Sequence, residues 1–280
     1  MTTSASGRER YDGGRRGDAP PLPDPLPVAA IDAHCHLDLM AVSVEQAMNE
    51  ARAVGIQRVV TIGIDVPSSE WSVQAAANHA DVFATVAIHP NEAHTADEAA
   101  WTRIAELAAD SHVVGVGETG LDHYRTAADG WAQQETSFRR HIDIAKRTGK
   151  ALVIHDRDAH DDVLRVLDSE GPPEHVVFHC FSGDADFAKK CADRGYVMSF
   201  AGNMTFKNAT DLRDAAVVAP AALLLVETDA PFLTPMPHRG RPNAPYLVPL
   251  TVRALAEVRG ESPDDVAAAV TATATRVFGW

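Results

Sequence analysis

The sequence predicts an α/β protein, a (β/α)8 TIM barrel formed by residues 28–280 and preceded by a disordered N-terminal extension of residues 1–27. Three observations predict this fold. From residue 28 onward, short apolar runs rich in β-branched residues alternate with amphipathic segments. Eight such runs follow one another at intervals of roughly 20 to 40 residues, which is typical of parallel βαβ units. Eight units in about 250 residues fit a closed barrel better than an open doubly wound sheet, which stays the alternative fold.

The first 27 residues are rich in Gly, Pro and Arg, and they offer little apolar surface that a core could bury. We therefore expect a disordered extension, and a solvated tail is the simplest interpretation of its four arginines. It has no apolar stretch of signal-peptide length, and no later apolar run approaches the ~18 residues that cross a bilayer. We expect neither a targeting segment nor a membrane span.

The eight strand candidates share a high content of Val, Ile and Leu, as strands buried on both faces do. In chain order they are VAAIDAHCH, RVVTIGI, VFATVAIHP, VVGVGETG, ALVIHDR, HVVFHCF, YVMSF and ALLLVETDAP. The glycines of GVGETG fit neither the dinucleotide-binding motif nor the P-loop, so the sequence does not predict a nucleotide-binding turn there.

The segments between the strands carry helix start and stop signals. Ser43 and Gln46 have the spacing of a capping box and precede an apolar stripe. Residues 131–148 form another helix candidate that ends at Gly149. Its predicted apolar stripe consists of Trp131, Phe138, Ile142 and Ala145. Near the end of the chain, Ser262 is placed to cap a last helix.

The charge balance limits the partners. With 39 acidic and 25 basic residues the net charge is −14, which disfavours tight, salt-sensitive binding of long nucleic acids and slightly favours short or small substrates. Local phosphate contacts remain open if a bound cation reverses the sign inside a pocket. Three cysteines do not make a disulfide framework, so we expect a reducing cytoplasm.

Chemistry-bearing residues follow the predicted strands. In a barrel of this type the active site lies at the carboxyl ends of the strands. The residues found there are His34 and His36 (first strand), His89 (third), Glu118 (fourth), His155 (fifth), His179 (sixth) and Asp229 (eighth). Several histidines at equivalent strand ends are hard to satisfy in a dry interior without a cation. The pattern predicts a metal site.

The motifs IDAHCHLD, AIHP, GETGLDHYR, IHDRDA, FHCFSG, FAGNMTFKNA and VETDAPFLTPMPHRGRPNAP resemble, in this order, those of the TatD family of metal-dependent hydrolases. The resemblance covers nearly the whole chain after residue 30. It implies a (β/α)8 barrel that holds divalent cations. The activity usually assigned to the family is that of a metal-dependent deoxyribonuclease, with 3′→5′ exonuclease activity in some members. Some relatives remove D-amino acids from tRNA.

The resemblance also implies the site. Two divalent metal ions would be held by six side chains: His34, His36 and Asp229 at the first ion, His155 and His179 at the second, and Glu118 as the bridge between them. Asp229 and Glu118 would be the catalytic carboxylates, and Asp229 would also accept the proton of the attacking water. The identity of the ions stays open among Zn²⁺, Mn²⁺, Mg²⁺ and Co²⁺.

Five further residues are predicted beside the ligands or the substrate. We expect His89 to be a neighbour of the ligands or to face the substrate, and Glu227 to support the ligands by hydrogen bonding. Arg157, Arg239 and Asn243, with Arg241 in the same loop as the last two, are candidates for phosphate contacts, although Arg157 and Asn243 could instead pin loops. The remaining histidines in helices or at loop starts are expected at the surface: His79, His94, His112, His141, His160 and His175.

Two positions depart from the family pattern. Ala87 stands where the family prefers the glycine of Gly-x-His-Pro, and Thr275 stands where many members have asparagine. Neither position is a ligand, so the departures bear on substrate preference rather than on metal binding.

The resemblance implies a cytoplasmic phosphodiesterase that acts on nucleic acid, with single-stranded DNA ends as the expected substrate. The alternative keeps the site and changes the bond, to an ester such as that of D-aminoacyl-tRNA or of another small substrate. A non-catalytic binding module would require missing ligands, and all six are present. The sequence gives no sign of an obligate protein partner.

Overall fold

The computed structural model describes residues 17–280, and its centre is a sheet of eight parallel strands that pair in chain order. The strands are Ala30–Cys35 (β1), Ile56–Ile62 (β2), Val82–Val86 (β3), Val113–Asp122 (β4), Ala151–Arg157 (β5), Val176–Phe178 (β6), Val197–Phe200 (β7) and Leu224–Val226 (β8). Each overlaps one of the eight runs that the sequence singles out, although β2 begins two residues before its run and β4 ends two residues after its run. The predicted (β/α)8 barrel is confirmed. Residues 1–16 of the expected extension lie outside the described residues.

The barrel closes where the segment after β8 meets β1. Cys35 and Ala230 form a parallel bridge, and the amide of His36 donates to the carbonyl of Ala230 at 2.7 Å. The amide of Asp229 donates in turn to the carbonyl of His34 at 2.9 Å. This closure brings the two histidines of the first strand next to the carboxylate that follows the last one.

Helices follow the strands and cover the outside of the barrel. They are Val44–Ala53 (α1), Val66–Asn78 (α2), Glu98–Ala108 (α3), Trp131–Thr148 (α4), His160–Glu170 (α5), Ala185–Asp193 (α6), Thr210–Val218 (α7), Val248–Arg259 (α8) and Pro263–Phe278 (α9). No helix among residues 17–280 is both long enough and apolar enough to cross a membrane.

The structure contains most of the helix caps that the sequence predicts. Ser43 caps α1 by accepting the amide of Gln46, but the side chain of Gln46 bonds to Glu50, so the reciprocal half of the capping box is not made. Gly149 ends α4 with a φ of 67°, and Ser262 caps α9.

The core has two layers because successive residues of a strand face opposite sides of the sheet. In β5, Leu152 and Ile154 join the cluster that lies between the sheet and the helices. Val153 instead joins the cluster inside the barrel, together with the end of α9. His155 has the same parity as Val153, so it faces the barrel axis at the carboxyl end of the strand.

Residues 17–27 correct the expected boundary of the extension, because they lie against the barrel. Leu26 is buried, and its amide donates to the carbonyl of Val54 at 3.0 Å. Arg241 donates to the carbonyl of Asp18, and the hydroxyl of Tyr246 donates to the carbonyl of Pro20. A proline-rich segment is already extended, so its ordering costs little entropy. Composition cannot reveal these contacts, because their donors come from distant parts of the chain.

Candidate metal centre

The structure brings the six predicted ligands and His89 together at the carboxyl ends of the strands. His34, Glu118 and His155 lie on strands β1, β4 and β5, whereas His36, His89, His179 and Asp229 follow the ends of β1, β3, β6 and β8. His36 comes one residue after β1, so the His-x-His pair straddles the end of the strand. The imidazole rings of His34 and His179 stack with their centroids 3.9 Å apart.

Glu118 is the centre of the cluster. The distances from its Oε1 atom are 3.0 Å to His155 Nδ1, 3.1 Å to His179 Nε2 and 3.2 Å to His89 Nε2. Its Oε2 atom lies 3.4 Å from His34 Nε2 and 3.8 Å from His36 Nε2. The two oxygens of one carboxylate therefore face two different groups of imidazoles.

Asp229 completes the group around His34 and His36. Its Oδ1 atom lies 3.8 Å from His34 Nε2 and 3.5 Å from His36 Nε2. Its φ of 53° lies in the left-handed region, which Asp tolerates better than most residues. The Asp229 side chain is 14% exposed and that of Glu118 is 6% exposed, so Asp229 is the carboxylate nearer to solvent.

The polar atoms of the cluster fit a bound metal. Both ring nitrogens of His34 and the Nδ1 atom of His36 are buried, and none has a well-aligned hydrogen-bond partner among residues 17–280. Buried polar atoms without partners are costly, and a cation would satisfy them. Three sets of three donor atoms lie within 4.8 Å of one another: His34, His36 and Asp229; His34, Glu118 and His179; His89, Glu118 and His155. Imidazole nitrogens and carboxylate oxygens are ligands for a divalent transition ion.

Two buried carboxylates bind the outer ring nitrogens of two histidines of the cluster. Asp122 Oδ2 lies 3.1 Å from His155 Nε2, and Glu227 Oε1 lies 3.2 Å from His179 Nδ1. Glu227 also accepts the backbone amide of Cys180 at 2.8 Å. Such contacts fix the orientation of an imidazole and leave its other nitrogen free for a metal. Glu227 lies where the sequence expectation put it.

Asp122 is a site residue that the sequence reasoning missed. It is fully buried at the end of β4 and also accepts the backbone amides of Tyr124 and Arg125. Burial alone would raise the pKa of Asp122, but the hydrogen bonds from His155 and from the amide of Arg125 hold its pKa well below the ordinary value. The available signal was its place at a strand end, four residues after Glu118.

The protonation of the cluster follows from charge and burial. Burial alone would raise the pKa of Glu118, but the neighbouring His179, His89 and His155 hold its pKa well below the ordinary value. The charges of Glu118 and Glu227 outweigh burial at His179 and raise its pKa. Burial lowers the pKa of His34. Glu118 is therefore an anion in this cluster, as a metal bridge must be.

The predicted substrate residues divide into two groups. Arg157 and Arg239 each lie over an aromatic ring, with the guanidinium carbons 4.2 Å from the ring centroids of Tyr124 and Phe206. Asn243 corrects the substrate expectation, because it is 2% exposed and its amide donates to backbone carbonyls, including that of Thr228 at 2.9 Å. It pins the loop after β8.

Arg241 was also expected to contact phosphate, but its guanidinium binds the carbonyls of Asp18 and Ala19. Its donors are used to hold the N-terminal segment on the barrel rather than facing the ligands.

The sequence analysis expected His141 at the surface, and this expectation is wrong. His141 is fully buried on α4, where its Nε2 atom accepts the amide of Ile88 at 3.0 Å and its Nδ1 atom lies 2.8 Å from the carbonyl of Ser137. The signal was its position next to Ile142 on the apolar stripe of the helix. Trp131, at the start of that stripe, is 37% exposed and stacks on His123 instead of joining the core.

The chain is similar to proteins of one family over almost its whole described length. A family model described as TatD related DNase matches residues 31–279. The metal-dependent hydrolase TatD of Mycobacterium tuberculosis is 46% identical over 257 residues, which are 89% of this chain and 97% of the relative. The metal-dependent hydrolase YabD of Bacillus subtilis is 35% identical, over 88% of this chain and 98% of the relative.

A solved structure agrees with these relatives. The TatD homologue YjjV of Escherichia coli matches with a TM-score of 0.84 at 27% identity, over 90% of this chain and 98% of that one. The residues matched by the family model, 31–279, include every imidazole and carboxylate of the cluster. The chain belongs to the TatD family of metal-dependent hydrolases.

Proposed function

We propose that this hydrolase is a deoxyribonuclease that removes nucleotides from the 3′ ends of single-stranded DNA. The observation that carries the proposal is the position of Glu118 between two groups of imidazoles, which suits a pair of cations that together bind one phosphodiester. The name of the matching family model, TatD related DNase, supports a DNA substrate.

The proposed ligands are those that the resemblance implies. His34, His36 and Asp229 would hold one ion, His155 and His179 would hold the second, and Glu118 would be shared between them. When bound, the two ions would make a water molecule more acidic and neutralise the negative charge on the phosphate. The four imidazoles favour Zn²⁺, Mn²⁺ or Co²⁺, and Mg²⁺ remains a candidate for support of exonuclease activity.

The protein side chains have separate tasks. Asp229, the carboxylate nearer to solvent, accepts the proton of the attacking water. Asp122 and Glu227 keep His155 and His179 in the orientation that points one ring nitrogen of each at Glu118. Burial of these carboxylates strengthens their electrostatic interactions with the imidazoles. We place the enzyme in the cytoplasm, because its three cysteines are unpaired.

The test is turnover by metal-reconstituted protein on three substrates in parallel: a 3′-labelled single-stranded DNA, the same sequence as RNA, and a D-aminoacyl-tRNA. Stepwise loss of 3′ nucleotides from the DNA, abolished by EDTA and by Glu118→Ala, supports the nuclease. Release of a free D-amino acid from intact tRNA would keep the metal ligands and overturn the substrate. The ester substrate is included because a site for two cations can hydrolyse either bond, and the fold does not decide between them.

A further inference from the structure

Two pairs of an arginine and an aromatic residue lie at the carboxyl end of the barrel. The guanidinium carbon of Arg157 is 4.2 Å from the ring centroid of Tyr124, and that of Arg239 is 4.2 Å from the ring centroid of Phe206. We call them the Tyr124 platform and the Phe206 platform. The first follows β4 and β5 and the second follows β7 and β8, so they lie three strands apart around the barrel mouth.

The Tyr124 platform is built onto the support of the metal centre. Arg157 lies two residues after His155 on β5 and therefore projects from the same face of the strand. The amide of Tyr124 donates to Asp122 Oδ1 at 3.1 Å, and the other oxygen of Asp122 holds His155. The carbonyl of Arg157 accepts the amide of His123, which joins the two halves of the platform.

The Phe206 platform is also fixed in place. The carbonyl of Phe206 accepts a hydrogen bond from Arg213 at 2.8 Å. The preceding residue, Thr205, accepts the amide of Met236 at 2.8 Å, which ties this loop to the loop that carries Arg239.

The two guanidinium groups are free to meet an anion. Among residues 17–280, neither Arg157 nor Arg239 forms an ion pair with a carboxylate, although the chain carries 39 acidic residues. The arginines that do form such pairs lie on helices or after them, and they are Arg52, Arg103, Arg139, Arg140, Arg147, Arg165, Arg194 and Arg259. Unpaired guanidinium groups above a metal cluster suit phosphate oxygens.

The exposed ring of Tyr124 indicates what else the ligand contains besides a phosphate. Tyr124 is 65% exposed, so a large part of an aromatic ring beside the site is open to a planar partner. Nucleobases stack on such rings whatever their sequence, and only unpaired bases have a face free to do so. Stacking does not depend on net positive charge, so it is compatible with the net charge of −14.

We propose that the Tyr124 and Phe206 platforms hold unpaired nucleotides on either side of the metal centre, each ring stacking a base and each arginine contacting a phosphate. This inference rests on the proposed function in taking the substrate to be a nucleic acid, and it adds the residues that select single strands. Tyr124 has the larger role, because its ring is the more exposed.

Binding tests the platforms without requiring turnover. Fluorescence anisotropy of metal-reconstituted protein would be measured with phosphorothioate-linked oligothymidylate, which resists hydrolysis, and with an abasic strand of the same length. Tyr124→Ala is expected to weaken binding of oligothymidylate at least about fivefold, and Phe206→Ala by less, because loss of one stacked base costs about 1–3 kcal/mol. Binding of the abasic strand should stay within about twofold.

Two controls separate stacking from a folding defect. Tyr124→Phe keeps the ring and should bind like the wild type, and Val217→Ala changes an exposed side chain on α7, away from the strand ends. Three results would each overturn the platforms. Tyr124→Ala could weaken binding of oligothymidylate and of the abasic oligonucleotide equally, or weaken neither. The wild type could also fail to bind oligothymidylate. Base-dependent binding without DNA cleavage would overturn the nuclease proposal alone.

Discussion

His89 meets Glu118 through its Nε2 atom, 3.2 Å from Oε1, while its Nδ1 atom accepts the backbone amide of Asn91 at 3.1 Å. A nitrogen that accepts a hydrogen bond carries no proton, so the proton of the neutral ring is on Nε2 and points at Glu118. Burial lowers the pKa of His89 to about 4, which agrees with a neutral ring. His89 therefore donates to Glu118 and, in this tautomer, has no lone pair on Nε2 to offer a metal.

Replacement of His89 by alanine should leave the metal content unchanged and lower kcat/KM by roughly 10- to 100-fold, because a group that orients a ligand is lost rather than a ligand. Metal content by atomic emission and turnover on DNA check this. His89→Gln keeps a donor and should recover part of the activity. Loss of one equivalent of metal in His89→Ala would show that His89 is a ligand after all.

Glu118→Ala should abolish turnover and reduce the bound metal, because the two groups of imidazoles would lose the anion that they share. The fold should survive, since the ion pairs of the Glu118 side chain among residues 17–280 are with imidazoles and not with the helices. Circular dichroism and metal analysis separate the two effects. An active and fully metallated variant would rule out the bridging role.

Asp122→Asn should weaken metal affinity or activity by roughly 10- to 100-fold, because a carboxylate that orients His155 becomes an amide. The substituted side chain still offers an oxygen to the amides of Tyr124 and Arg125, so the loop after β4 should keep its shape. Competition with a chelating dye measures the affinity. Asp162→Asn is the matched control, because the Asp162 side chain is 45% exposed and pairs with Arg165 at 3.0 Å, while the nearest imidazole, that of His123, is 3.9 Å away. Equal behaviour of the two variants would deny Asp122 this role.

The sequence predicts the positions of the proposed ligands in the barrel because strand periodicity is a local property. Once β5 and β6 are recognised, His155 and His179 must come at their carboxyl ends, on the face of Val153 and Val177. The same rule places Glu227 two residues before Asp229. No contact between distant segments is needed for these predictions.

Asp122, His141 and residues 17–27 were harder to predict, because partners that are remote in sequence define what they do. Asp122 acts by orienting His155, and His141 accepts the amide of Ile88, which is 53 residues away. Residues 17–27 are ordered by donors such as Arg241 and Tyr246. Periodicity and composition carry no information about such contacts.

Chelation should lower the melting temperature. An ion that binds the folded chain at 100 times its Kd stabilises it by about 2.7 kcal/mol, which corresponds to about 5–10 °C for a chain of this size. Differential scanning calorimetry with and without EDTA checks this. In Glu118→Ala the shift should shrink, and a shift of full size there would mean that the stabilising ion is bound elsewhere.

The stability of the protein should depend on pH through His141. Burial lowers the pKa of this imidazole to about 4 in the folded state, against 6.5 ordinarily. Between these values the unfolded chain binds the proton and the folded chain does not, so the free energy of unfolding rises with pH across pH 4 to 6.5. The full loss, reached below pH 4, is about 3 kcal/mol. In His141→Gln this part of the pH dependence should vanish, while the titration of the metal cluster remains in both proteins. Urea unfolding of the two proteins from pH 4 to 7.5 isolates it by difference, and parallel curves would mean that His141 is protonated equally in both states.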